Sequence, residues 1–171
     1  MSQFTELPLG ACKLTFDGTD LGDTSENTIF RYSEDHAPIN VAQQGTTIID
    51  EILVGHTCEL ETELTRTQIA AIAALLAGAD NSDSSGDDII IQNIIGKSLY
   101  ENAKKLVATP VVGANVASTN DFGRIIIYKA HPKSDMEVNY NNSDQKVFKF
   151  TFTGYPDQGV GNDYRIWGNK D

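Results

Sequence analysis

Residues 58–64 read Cys-Glu-Leu-Glu-Thr-Glu-Leu, and this alternation narrows the possible folds more than any other segment of the chain. A period of two belongs to a β-strand with one face buried and the other in water. Glu59, Glu61 and Glu63 stand on the wet face, and Cys58, Leu60, Thr62 and Leu64 on the other. Neighbouring carboxylates on one strand face lie about 6.8 Å apart, two residues of rise. That separation is inside the Debye length of about 8 Å at physiological salt, so the charges feel one another. Even at the dielectric of water each adjacent pair costs on the order of 0.6 kcal/mol. The segment therefore dictates a sheet with an apolar side to cover, and raises the question of what an acidic strip is wanted for.

The composition leaves room for that cover. A chain of 171 residues suits one domain with a substantial core. Hydrophobic residues make up 40% and charged residues 22%, ordinary for a folded soluble domain. No run approaches the ~20 apolar residues of a membrane span, so no membrane partner is expected. The first six residues carry neither a basic nor an apolar leader pattern, so a secretory signal is not expected. Cys12 and Cys58 form no disulfide framework and read as two reduced, partly buried thiols of a cytosolic product. The net charge of −11 is uneven: residues 1–99 hold sixteen acidic against four basic residues, a net of −12, whereas residues 100–171 hold eight against nine, a net of +1. With no basic patch to grip phosphates, attraction to DNA is disfavoured. The chain can still meet DNA as a repelling wall, and the acidic half of one copy can face the near-neutral half of another.

Along the chain, residues 14–22 read as a short strand, an Asp17-Gly18 turn and a second extended piece, because Asp-Gly supplies the positive φ angles of a tight hairpin. Residues 27–33, 38–43 and 46–54 are further extended segments, and 54–64 is the strand with the glutamates. Residues 40–64 together read as a hairpin with long arms and a polar tip. Ile69, Ile72, Ala73 and Leu76 recur at helical spacing, with Thr65 and Gln68 as a capping box and Gly78 as the stop. Residues 79–88 read as a polar loop. The second half is again β-rich: an isoleucine-dense run at 88–95, then strands at 105–112 and 124–130. Ile125, Ile126 and Ile127 in a row are expected where both faces are covered. Residues 135–140 and 145–153 read as a hairpin, with Phe148, Phe150 and Phe152 on one face. The sum is mainly β with one helix, a sandwich or open barrel.

Few residues suggest chemistry. Gly96-Lys97-Ser98 matches the end of a phosphate-binding loop, but Ile91 stands where that loop needs glycine. His56 and Cys58 share a strand face, yet no second ligand pair follows, and a core histidine and cysteine is the expectation rather than zinc. Residues 80–86 lack the spaced acids and late glutamate of a calcium loop. His36, His56 and His131 sit in no catalytic motif, so no enzyme and no cofactor are expected.

The order of several short motifs resembles that of the tail tube (major tail) proteins of long-tailed, non-contractile bacteriophages. Residues 14–22, Leu-Thr-Phe-Asp-Gly-Thr-Asp-Leu-Gly, look like the family's opening strand and its Gly-x-Asp-Leu-Gly turn. A long hairpin (41–54), a Glu/Thr-rich strand (55–64) and a helix (67–76) follow in the family's order. Residues 103–110, Ala-Lys-Lys-Leu-Val-Ala-Thr-Pro, look like its Lys-Leu-Val…Pro strand, and 124–130 and 148–157 like its closing strands. The resemblance covers residues 12–160 and rests on the order of the motifs rather than on any one of them.

The resemblance implies a structural virion protein. Family members form hexameric rings, stacked helically into a tube around the tape measure protein, with tail terminator and tail tip proteins as further partners. Double-stranded DNA passes through the lumen without specific binding. The protein would be assembled in the host bacterial cytoplasm and reside in the virion tail. Its fold would be two packed antiparallel sheets with a flanking helix, the inner sheets of six copies joining one ring-wide β-barrel, which removes exposed edges. One tail-tube domain over 1–171 would carry an N-terminal arm (1–11), the long hairpin (40–64) and a C-terminal arm (156–171). On this reading Glu59, Glu61 and Glu63 face the lumen, although outer solvent or a neighbouring subunit is an equal alternative. The hairpin tip Gln43, Gln44, Gly45 and Thr46, with Ile48, Ile49, Ile52 and Leu53, would contact the next ring. Tyr164 and Trp167 would anchor the C-terminal arm. Two other classes stay open: a carbohydrate- or surface-binding β-sandwich of a virion fibre or decoration protein, and the inner tube of a contractile tail or secretion system.

Overall fold

The computed structural model describes residues 9–24, 28–40, 46–66, 69–76, 79–80, 89–93, 95–112, 116–117, 124–134, 147–157 and 159. Among them the chain is mainly β with one helix, and every strand pairing is antiparallel. The strands are β1 (Leu9–Phe16), β2 (Thr19–Asp20), β3 (Asp23–Thr24), β4 (Ile29–Asn40) and β5 (Ile48–Arg66), followed by the helix α1 (Ile69–Leu75). Then come β6 (Ala79–Asp80), β7 (Ile90–Ile91), β8 (Lys104–Val112), β9 (Val116–Ala117), β10 (Ile125–Ser134) and β11 (Phe148–Gly154). The main sheet runs β2-β1-β8-β10-β11-β5-β3, with β4 on β5 and β9 on β8, while β6 and β7 pair separately.

Local sequence explains the first turn. Asp17 and Gly18 both adopt positive φ, 49° and 79°, which reverses the chain between Phe16 and Thr19. Aspartate tolerates this region and glycine enters it without strain.

The alternation in β5 and β11 builds the core. Cys58, Leu60, Thr62 and Leu64 of β5 are buried, and the register sets Leu60 against Phe152, Thr62 against Phe150 and Leu64 against Phe148. Leu14 and Phe16 of β1, Leu106 and Ala108 of β8, and Ile127 and Ala130 of β10 close the same cluster. The Phe16 and Phe152 rings meet at 5.7 Å between centroids. The hydroxyl of buried Thr62 is satisfied by that of Thr28 at 3.1 Å. Gly154 fits closely here: a Cβ would lie 3.1 Å from both the Cys58 Sγ and the Ile127 Cγ2, so those side chains would have to give by a few tenths of an ångström. Ile126 and Ile127 are both buried although they point to opposite faces, as the isoleucine triplet anticipates.

Several sequence expectations need correction. The helix sits where expected, but Ala71, Ala73 and Leu75 face inward while Ile69 is exposed. Ala71 and Leu75 join the core cluster, so the buried face of the helix is turned away from the expected Ile69–Ile72 face. Thr65 caps no helix; it belongs to β5 and its hydroxyl donates to the Asp23 carbonyl. The hairpin expected over 40–64 starts at Ile29, because 27–33 and 38–43 fall largely in one strand, and 46–54 with 54–64 in another. Among the described residues of the run at 88–95, the strand is the two-residue β7, exposed. Of the N-terminal arm expected over 1–11, residues 1–8 lie outside the described residues and 9–11 belong to β1. The first arm and the tip of the hairpin expected over 135–153 fall in 135–146, outside the described residues; its second arm, β11, pairs with β10 and β5.

Candidate functional site

β11 covers β5 only as far as Cys58, which opposes Gly154. From Thr57 to Ile48, β5 pairs with β4 alone. The chain therefore extends a two-stranded ribbon beyond its own sheet, and such a ribbon is marginal in water without further cover. The ladder skips Val54 between the Leu53–His36 and Gly55–Asp35 pairs, and Ile49 between the Ile48–Asn40 and Asp50–Ile39 pairs. These bulges strengthen the local twist. Pro38 is accommodated because β4 is an edge, and Glu34 and Asp35 on that edge discourage unspecific strand addition.

The ribbon is apolar where it should be wet. Ile48, Ile49, Ile52, Leu53 and Val54 are all exposed, Ile52 at 53% and Val54 at 63%. Ile52 opposes Ala37 and the adjacent Leu53 opposes His36, so the two side chains point to opposite faces. Neither face is covered by the chain's own sheet. Ile48, Ile49, Ile52 and Leu53 were expected at a contact surface, and the structure groups them with Val54, which sequence reasoning missed. Its signal was there: Val54 extends the apolar run that ends at Gly55. Thr46 is an exposed turn residue, while Gln43, Gln44 and Gly45 lie outside the described residues, as do Tyr164 and Trp167. The charged side chains of this ribbon, Glu34, Asp35, Asp50 and Glu51, are all acidic; no lysine or arginine occurs in 32–40 or 46–58.

At the ribbon's base, His56 is exposed rather than in the core, because β11 ends opposite Cys58. Its Nδ1 lies 2.8 Å from the Tyr32 hydroxyl with the rings stacked, and Tyr32 also donates to Glu34 at 3.0 Å. His36 Nε2 approaches the same carboxylate at 3.4 Å. Among the described residues no three His, Cys, Asp or Glu side chains gather to hold a metal.

Glu59, Glu61 and Glu63 share the face opposite the core and are half-buried. The strip expected to be wholly anionic is of mixed charge in the sheet. Arg31 of β4 reaches Glu61 at 2.5 Å, and Lys149 of β11 reaches Glu63 at 3.0 Å. Hydrogen bonding to Glu63, then its charge, holds the Lys149 ammonium above its usual pKa. Three carboxylates against two cations leave one net negative charge. Register, not local sequence, brings these cations over.

Burial, and secondarily the charge of Glu59, pushes the Cys58 thiol up to about 11. Burial also raises Cys12, against a hydrogen bond with Thr28. Both thiols therefore stay protonated at neutral pH, and the thiolate is the reactive form. In native protein at pH 8, Cys58 should react with an aromatic disulfide reagent at least about a hundredfold slower than free cysteine. Both thiols should react promptly in denaturant, and rapid native labelling of Cys58 would show an open core face.

A second concavity, of about 480 Å³, lies between α1, the 96–102 segment and the end of β10. Ala73, Leu76 and Leu99 give it apolar walls and Lys97 and Lys104 a basic rim. Lys104 pairs with Asp17 at 3.6 Å. His131, 5% exposed, lines the same space, and its Nδ1 has no hydrogen-bond partner. Burial lowers its pKa, so the ring is held neutral.

No protein-family model matches the chain, and a search of curated proteins finds no match.

Proposed function

We propose that this protein is a self-assembling structural subunit of a long, non-contractile phage tail. Copies form hexameric rings stacked into a tube around a tape measure protein, and double-stranded DNA crosses the lumen without specific binding. Tail terminator and tail tip proteins would be its other partners, with assembly in the host cytoplasm and residence in the virion tail. The observation that carries this reading is the β4–β5 ribbon, apolar on both faces and uncovered by its own sheet. A lone chain leaves those side chains in water, whereas a second copy removes them, at about 1 kcal/mol for each half-exposed aliphatic group. Support for an open barrel comes from Thr24, whose hydroxyl donates to the Cys12 carbonyl at 2.9 Å. That bond brings β3, at one end of the strand order, beside β1 near the other.

In the proposal Glu59, Glu61 and Glu63 line the channel. Arg31 and Lys149 temper the strip, so it repels phosphates weakly rather than strongly, which suits a surface that DNA must slide past.

Negative-stain microscopy of the purified protein tests the reading. Rings or tubes with a stained lumen are expected. A persistent monomer at high concentration that instead binds an immobilised glycan would replace it with the surface-binding module.

A further inference from the structure

We propose that the cavity beside α1 is the acceptor for the β4–β5 ribbon of a second copy of this chain. The inference rests on the assembly reading above and names the surface on which assembly occurs. The two surfaces are complementary in both respects that matter. The ribbon presents Ile52, Leu53 and Val54 exposed, and the cavity presents Ala73, Leu76 and Leu99. Next to the cavity Ile95 is 92% exposed, more apolar surface than the chain has any use for alone. The charges of the ribbon are all acidic, Glu34, Asp35, Asp50 and Glu51, while the cavity carries Lys97 and Lys104 against one acid, Asp17, which pairs with Lys104 and leaves Lys97 to meet the ribbon. Acidic ribbon against basic rim favours this pairing over ribbon against ribbon, where like charges would meet.

The geometry has a consequence for symmetry. Donor ribbon and acceptor cavity are different surfaces of one chain, so the contact can repeat head-to-tail. Repeated that way it closes into rings or continues as helical filaments, whereas reciprocal exchange of ribbons would close a two-fold dimer.

A mixed crosslink tests the contact itself. Ile52→Cys and Leu99→Cys are made in separate preparations, mixed unassembled, concentrated and treated with a short bis-maleimide. A crosslinked dimer in the mixture, several-fold above either preparation alone, is expected; a mixture no different from its components overturns the proposal. A charge exchange gives a second, independent reading. Glu51→Lys and Lys97→Glu should each raise the concentration needed for assembly on the order of tenfold, and the two together should restore it. Single changes without effect, or a combination that worsens assembly, overturn the proposal. Tubes without the mixed crosslink sink the cavity and leave the tube reading standing; the mixed crosslink without tubes does the reverse.

Discussion

Replacing Ile52 and Leu53 together with lysine abolishes assembly while leaving the melting temperature of the unassembled chain within about 3 °C of the native protein. Both side chains are exposed in the single chain, so their removal costs its core nothing. They lie on opposite faces of the ribbon, so whichever face a neighbour covers, one of them is lost from the contact. Each is worth about 1.5 kcal/mol when fully covered, and each lysine adds a charge that must be stripped of water. One such loss per contact, about 1 kcal/mol for a half-exposed side chain and at least as much for desolvating the lysine that replaces it, raises the assembly threshold by about thirtyfold or more. Sedimentation across a concentration series, with calorimetry of the dilute chain, measures both quantities. Tubes at the native threshold would remove the ribbon from the interface. A large fall in melting temperature would instead mean that these side chains hold the single chain together.

Truncating Phe152 to alanine has the opposite signature: it destabilises the fold by about 3–5 kcal/mol. Phe152 is fully buried, opposes Leu60 across β5 and β11, and packs on Phe16 at 5.7 Å. The cavity left behind cannot collapse easily, because strands on both sides of β11 are fixed by their ladders. A loss of this size is a large fraction of the 5–15 kcal/mol that domains possess, and lowers the melting temperature by roughly 10 °C. Lys149→Ala on the same strand is the control. Its ammonium is exposed and its pairing with Glu63 is screened by water, so its loss leaves the unfolding midpoint close to the native one. Denaturant unfolding that ranks the two equally would contradict the assigned faces of β11.

The two variants separate the two uses of aliphatic and aromatic residues in this chain. Phe148, Phe150 and Phe152 alternate with polar residues and fill a core that is complete within one copy. Ile48, Ile49, Ile52, Leu53 and Val54 do not alternate, and the structure leaves them outside. A run that breaks the period of two in a strand with a single neighbour cannot be buried by one sheet face. Both kinds of residue count equally in a composition, and only their period and their neighbours distinguish them.

Sequence by itself determined the strand faces of β5 and β11, the Asp17-Gly18 turn and the place of the helix. In each case the deciding physics is local: two-residue periodicity, positive φ at aspartate and glycine, and helical spacing. Tertiary structure alone decided the rest. It turned α1 so that Ala71 and Leu75 join the core and Ile69 faces water, since helical spacing gives a face and the surrounding core decides its direction. It ended β11 opposite Cys58, which freed the ribbon and exposed His56. It also set Arg31 and Lys149 over the glutamates of β5. The acid strip reads as uniform along one strand, but charge on a sheet is summed across strands, and the register that sets Arg31 opposite Glu59 and Lys149 opposite Glu63 joins positions far apart in the chain.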